Sequence, residues 1–206
     1  MEFTRPSFGP PAKPTDKVKG GFTTRTALRR KARLKEAKDA LPLIPAEGET
    51  LHGLMTGTYD LMHLLIVLLD QLGQTKRMQI ATLSLSARNV TEMVALLDAG
   101  TVKAIDILVS DFFRRHDKQI FGELIAQFTE RGQRVAAART HCKIVTLEMV
   151  DGRKFVLEGS ANLRTNSNIE QFALTNDAEL HEWYATWIEE MVKKYEIGQD
   201  DNPAKG

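Results

Sequence analysis

Two side chains that manage protons and charge, His141 and Lys143, stand two residues apart at the head of the aliphatic run THCKIVTLEM. Gly159-Ser160-Ala161-Asn162 follows, and then Asn168-Ile169-Glu170. A neutral imidazole attacks phosphorus or passes a proton near neutral pH. An ammonium stabilises charge on non-bridging oxygens. A Ser hydroxyl and an Asn amide donate hydrogen bonds to the same oxygens. A carboxylate such as Glu170 orients an imidazole through its other ring nitrogen. These types together fit phosphate chemistry. No Asp/His/Glu cluster in the sequence suggests a metal site, so positive charge has to come from Lys143 and the neutral donors; no cofactor is expected.

Strands have to position these groups. Side chains along a strand alternate between faces, so a strand over 141–149 puts His141 and Lys143 on one face at its N-terminal end. Cys142 and Ile144 then point the other way, into core. Val150-Asp151-Gly152-Arg153 carries the Asp-Gly hairpin signal and joins this strand to KFVLEG. Ser160 and Asn162 leave the end of KFVLEG, and Asn168 and Glu170 open a third strand, NIEQFALTN. Three neighbouring strand ends each present a polar pair, for which a purely structural sheet has little use.

Elsewhere the periodicity predicts a buried helix in TYDLMHLLIVLLDQLG, a strand over 77–86, and a helix NVTEMVALLDAG ended by Gly100. AIDILVS and QRVAAA read as strands around the helix KQIFGELIAQFTERG, which Gly132 ends. AELHEWYATWIEEMVKKY reads as a last amphipathic helix, and the tail from Glu196 is expected to fray. Strands alternating with helices argue for an α/β fold with helices covering a mixed sheet.

The chain has 206 residues, enough for one domain with an extension. Its single cysteine excludes an internal disulfide framework and a multi-cysteine metal site. The opening MEFTRPSFGPPAKPTDK has no apolar h-region. The longest apolar stretch, Leu61–Leu69 interrupted by His63, is far short of the roughly 20 residues that span a bilayer. A soluble, cytoplasmic protein without stable membrane insertion is expected. Net charge is +1, but residues 1–40 hold 11 Lys/Arg against 4 Asp/Glu, a local balance of +7. The remaining 17 and 23 leave the body at −6. Residues 1–21 are rich in Pro and Gly and are expected to be mobile. Residues 23–41 read as a helix capped by Thr24 or Thr26 and ended by Pro42. That helix is either a solvated element packed weakly on the body or a basic surface that neutralises phosphates.

Other candidates read as structural. His116-Asp117-Lys118 repeats the spacing, but at a helix start, where residues two apart do not share a face. His63 reads as a satisfied core histidine, and His52 and His181 as surface or packing residues. Trp183 and Trp187 read as core rather than a stacking platform. Ser84 and Ser86, at a strand end, are weaker candidates for lining a pocket. A Cys142–His141 nucleophile pair fails because adjacent strand residues face apart.

The combination of His141-Cys142-Lys143, a strand pair, Gly159-Ser160-Ala161-Asn162 and Asn168-Ile169-Glu170 resembles the HKD signature of the phospholipase D superfamily. The element order over 77–194 is similar to one half of that fold. The acidic member of the signature is Asp in the family and Glu148 here. Alternation puts Glu148 on the face opposite His141, and an ion-pairing role there tolerates Glu. The resemblance implies a metal-independent phosphodiesterase in which one His attacks the diester, a second protonates the leaving oxygen, and water releases the phosphohistidine. It assigns His141 as nucleophile and general acid, Lys143, Ser160 and Asn162 to phosphate, and Glu170 to orienting His141. A single motif implies a homodimer that joins two copies of His141 across a two-fold axis. The expected layout is a basic arm over 1–45, a phospholipase D-like α/β domain over 46–196 and a flexible tail over 197–206. The basic arm favours DNA or RNA as substrate and partner. A weakly active or inactive nucleic-acid-binding module and a lipid-active phosphodiesterase remain alternatives.

Overall fold

A computed structural model describes residues 21–164 and 168–198, with side chains from residue 27 onward. The arm expected to be mobile lies outside them up to residue 20, as does the tail beyond residue 198. The chain divides into two compact units, Met1–Ala32 and Arg33–Gly206. The described part of the first is helical. There α1 (Gly21–Ala40) begins, and Leu28, Arg29, Arg30 and Lys31 are exposed. Thr24 and Thr26, expected to cap this helix, lie within it. Ala, Leu, Arg and Lys, its main components, are the strongest helix formers.

In the second unit Leu34, Ala37 and Ala40 of α1 reach the core with Leu41. The elements that follow are β1 (Thr50–Met55), α2 (Leu61–Leu72), β2 (Thr75–Thr82), α3 (Ala87–Asp98), β3 (Ile105–Ser110) and α4 (Asp111–His116). Then come α5 (Lys118–Glu130), β4 (Arg134–Ala138), β5 (Ile144–Met149), β6 (Lys154–Gly159), β7 (Glu170–Asn176) and α6 (Ala178–Tyr195). Side chains fix the helix starts. Asp60 accepts from the His63 N–H at 3.0 Å, Ser110 from Phe113 at 3.0 Å and Asp177 from Leu180 at 2.8 Å. Each such cap is worth about 1 kcal/mol. Ser86, a weak pocket candidate in the sequence, caps α3, and β2 ends at Thr82. Gly100 and Gly132 both sit at φ +66°, the left-handed geometry that ends a helix.

The seven strands run in the order β1-β7-β6-β5-β2-β3-β4. β2, β3 and β4 are parallel, and the rest pair antiparallel, giving the expected mixed sheet. β1 and α4 went unrecognised in the sequence. TLHGLM is short and broken by glycine, and DFFRRH is too brief to show a period.

One face of the sheet packs under α2, α3 and α5 around Phe113, Phe121, Phe128, Phe155 and Phe172. Against the other lies α6, whose Ile188 and Val192 meet Ala81, Leu108, Ala136 and Val156. Small residues on the strands let the helix approach closely. Trp187 and Tyr184 are half-buried in this second cluster. Trp183, expected in the core, is 66% exposed because it lies off the packed face, its ring beside Tyr184. Charge fastens the same helix. Glu189 of α6 bonds Arg77 of β2 and Arg134 of β4, and both arginines also bond Asp106 of β3. These guanidiniums, Arg134 first, hold the Glu189 carboxyl down at about 2 against the opposing effect of burial. Ile197, assigned to the tail by the sequence, is held: its N–H donates to the Val135 carbonyl at 2.8 Å.

Two outcomes follow from this packing. His181 of α6 is 4% exposed and its Nδ1 has no hydrogen-bond partner. Burial, reinforced by Lys154, pushes it from 6.5 to about 4. The unfolded chain takes this proton at the ordinary value and the folded chain only near the lower one. The contribution to stability is therefore present above the ordinary value and is lost as pH falls through that window. Urea unfolding should show a loss of roughly 2–3 kcal/mol across it, and His181→Leu should flatten the profile. In the second case, a Cβ added at Gly159 would stand 2.2 Å from the Gln171 carbonyl oxygen, which is backbone and cannot swing aside. Gly159→Ala should cost about 2 kcal/mol, seen as a melting midpoint roughly 4–8 °C lower.

Candidate active site

The hairpin forms as the Asp-Gly signal predicts, with Ile144 opposite Glu158 and the Asp151 side chain accepting from the Arg153 N–H at 3.1 Å. His141-Cys142-Lys143 stands just ahead of β5 rather than within it. The lead-in is still tied to the sheet, because the Gly159 N–H donates to the Lys143 carbonyl at 3.2 Å. Cys142 and Ile144 pack toward α6, as alternation requires.

Lys143 is buried and His141 exposed. The Lys143 ammonium curls back to lie 2.9 Å from His141 Nδ1 and 2.7 Å from the His141 carbonyl oxygen. Burial lowers the Lys143 pKa from the ordinary lysine value, while the charges of Cys142 and Glu170 oppose the shift. An ammonium only donates. In this arrangement Nδ1 therefore accepts, and the proton of a neutral ring sits on Nε2. Passing a proton to a leaving oxygen requires the imidazolium, protonated at both nitrogens.

Two elements meet at the next pair. Ser160 Oγ donates to Glu170 Oε2 and accepts from the Gln171 N–H at 3.0 Å. The Ser160 N–H donates to the Gln171 carbonyl at 3.1 Å. Serine thus locks the exit of β6 to the entry of β7, and Glu170 is held by it. Nδ1, the nitrogen that Glu170 was expected to hold, faces Lys143. Asn162 lines a small gap with Tyr59, Asp60, Asn168 and Glu170. Its Oδ1 is buried with no partner. Buried polar atoms are nearly always bonded, so this amide is not used by the fold. The structure thus joins His141 with Lys143, and Ser160 with Glu170, and sets Asn162 beside Glu170.

Glu148 stands at the far end of β5 and pairs with Lys76 at 2.7 Å. A partly exposed pair of this kind accepts either acid, which explains Glu where the signature has Asp. His116 closes α4, stacked on Phe112 with its Nδ1 on the Phe112 carbonyl at 2.8 Å. His63 is satisfied in the core, with Nδ1 2.5 Å from Asp60 and Nε2 2.8 Å from Arg88.

Beside His141 opens a cleft of about 610 Å³ whose lining includes His52, Leu54, Glu158 and Gln171. The sequence did not point to these residues, since β1 and its register with β7 were invisible there. Among the described residues no group of three or more His, Cys, Asp or Glu could hold a metal ion, and no helix is long and apolar enough to cross a membrane.

No protein-family model matches the chain, and no curated protein matches it in sequence. Solved structures do. Nuc from Salmonella typhimurium, described as a phospholipase D family member, is 14% identical over 72% of this chain and 96% of its own, with a TM-score of 0.52. NucT from Helicobacter pylori is 18% identical over 73% of this chain and 99% of its own, with a TM-score of 0.54. TrmBL2, described as an archaeal chromatin protein with a novel mode of DNA binding, is 16% identical over 85% of this chain and 64% of its own, with a TM-score of 0.50. The mixed sheet, its flanking helices and these likenesses give one conclusion: the chain has the phospholipase D superfamily fold.

Proposed function

We propose that this protein is a metal-independent phosphodiesterase, an endonuclease on DNA or RNA that works through a phosphohistidine in a site shared by two copies of the chain. The observation that carries the reading is the contact of His141 Nδ1 with the Lys143 ammonium at the mouth of a cleft; the strands that follow add a Ser160–Glu170 pair and an Asn162 amide whose buried Oδ1 has no partner. These are the nucleophile, the cation and the donors that phosphoryl transfer needs, on a fold shared with a phospholipase D family member.

In the first step Nε2 of one His141 attacks phosphorus. An N–P bond forms, the P–O bond to the leaving group breaks, and the imidazolium of His141 in the second copy gives that oxygen its Nε2 proton and ends neutral. In the second step the same histidine takes a proton from water as water attacks phosphorus and the N–P bond breaks. Lys143 and Asn162 hold the non-bridging oxygens, with Ser160 assisting. Attack needs a lone pair on Nε2, hence a proton on Nδ1, and Glu170 is the carboxylate that would accept it. One copy then starts with a neutral ring and the other with an imidazolium. Ile169, 73% exposed between Asn168 and Glu170, gives an apolar rim on which a second copy would close.

Residues 1–45 serve in this reading as a basic arm that draws a polyanion to the domain over 46–196. The likeness to TrmBL2, described by its mode of DNA binding, favours a second reading in which the chain binds nucleic acid without cleaving it. Removal of residues 1–32 separates the two and spares Ala37, which is in the core. A binder should lose most of its affinity, whereas an enzyme should keep its turnover on a small diester.

His141→Ala should lower hydrolysis of bis-p-nitrophenyl phosphate by at least about a thousandfold while the dimer persists. Near-wild-type turnover of that variant would remove the proposal. Turnover should also survive EDTA, and a requirement for added divalent metal would count against the mechanism.

A further inference from the structure

The cleft beside His141 has a floor that can be read from strand register. Glu158 of β6 pairs with Ala173 of β7, which pairs with His52 of β1. The next row sets Gln171 of β7 beside Leu54 of β1. Paired residues on neighbouring strands share a face, so these side chains line one surface, with small Ala173 at its centre. Cys142 and Ile144 close the side nearest His141. α6 packs across β2 to β6, and His52 and Leu54 on β1 stay exposed.

One polar group of this floor is held in place. The Tyr184 hydroxyl donates to Glu158 at 2.6 Å, which fixes the carboxylate. Burial and Glu158 push that hydroxyl up to about 12, so it keeps its proton. Toward a ligand a carboxylate offers acceptors, and the Gln171 amide both donates and accepts. A second phosphate here would meet the charge of Glu158. A flat neutral ring with an N–H edge meets an apolar floor and an acceptor.

We infer that this cleft is a nucleobase subsite of the proposed phosphodiesterase site. The base next to the scissile phosphate lies over Ala173 and Leu54 with its amino edge toward Glu158 and Gln171. The inference rests on the phosphodiesterase reading. Stacking in a duplex hides the flat face that would lie on Ala173 and Leu54, so the strand cleaved here is single. Cytosine, adenine and guanine offer an exocyclic amine, whereas thymine and uracil turn carbonyl oxygens toward the carboxylate.

Two measurements on the full chain decide it. The first compares kcat/KM on single-stranded oligo-dC, oligo-dT, oligo-rC and oligo-rU, with bis-p-nitrophenyl phosphate alongside, for wild type, Glu158→Gln and Gln171→Ala. Cytosine should be preferred by about tenfold on either sugar, and the ratio should fall toward one in both variants. The second follows alkylation of Cys142, the only cysteine in the chain, with cytidine or thymidine added. Cytidine should slow it and thymidine should not. Equal rates on the two bases, an unchanged ratio in the variants, a uniform loss that includes the small diester, or no protection by cytidine would each overturn the subsite. Absence of any diester cleavage would instead sink the phosphodiesterase reading, and the alkylation rates would still decide the cleft.

Discussion

The candidate site depends on a close approach of two backbones. At Gly159 the carbonyl of Gln171 stands where a side chain would begin, so β6 and β7 pass nearer than any other residue at that position allows. The same glycine donates its N–H to Lys143, which draws the lead-in of β5 against the end of β6. One residue thus gathers three strand ends. Ser160, next in the chain, completes the junction through two bonds to Gln171 and one to Glu170. His141, Lys143, Asn162 and Glu170 sit on loops and strand tips, where backbone is usually mobile. The backbone crossing supplies the rigidity that their own segments lack.

Charge in this molecule is divided by purpose. At the end of the sheet away from His141, Arg77, Arg134, Asp106 and Glu189 satisfy one another and fasten α6. Asp60, His63, Arg88 and Glu92 form a second chain that ties the start of α2 to α3. An arginine only donates, so Nε2 of His63 accepts from Arg88 while Nδ1 lies against Asp60. Lys143 differs: its partners are the ring and carbonyl of a single histidine, and burial makes its charge costly. A cation kept this way is available to an anion that brings its own charge.

Much of this was legible in the sequence. Tight spacing revealed the hairpin at Asp151-Gly152 and the glycine stops at Gly100 and Gly132. Local pattern suffices where neighbours in sequence are neighbours in space. It failed where the structure depends on register between distant segments. β1 pairs with β7 from 117 residues away at Leu54 opposite Gln171, and nothing in TLHGLM announces that partner. The cleft, with Glu158 and Gln171 on its floor, was invisible for this reason. The strand period also misled at His141, because the lead-in leaves the ladder before residue 144 and Lys143 turns back. Trp183 misled in another way, since spacing of four gave it the face of Trp187, and the helix carries it past the edge of the packed surface.

The proposed chemistry asks two identical histidines to do opposite things, and the geometry limits how they can differ. A two-fold axis gives both copies the same backbone and the same neighbours. Each ring has Lys143 at Nδ1, which favours the neutral Nε2–H form and suits neither role. The nucleophile needs a proton on Nδ1 and a bare Nε2, and the acid needs both nitrogens protonated. On the proposed reading an incoming phosphate supplies the difference: its oxygens compete with Nδ1 for the Lys143 ammonium. Once that ammonium leaves the ring, Nδ1 can carry the proton and Glu170 can accept from it. Substrate lying off the axis does this in one copy before the other. The asymmetry then resides in one proton and one lysine rotamer, with no change in fold, and it arises only when there is a diester to cleave.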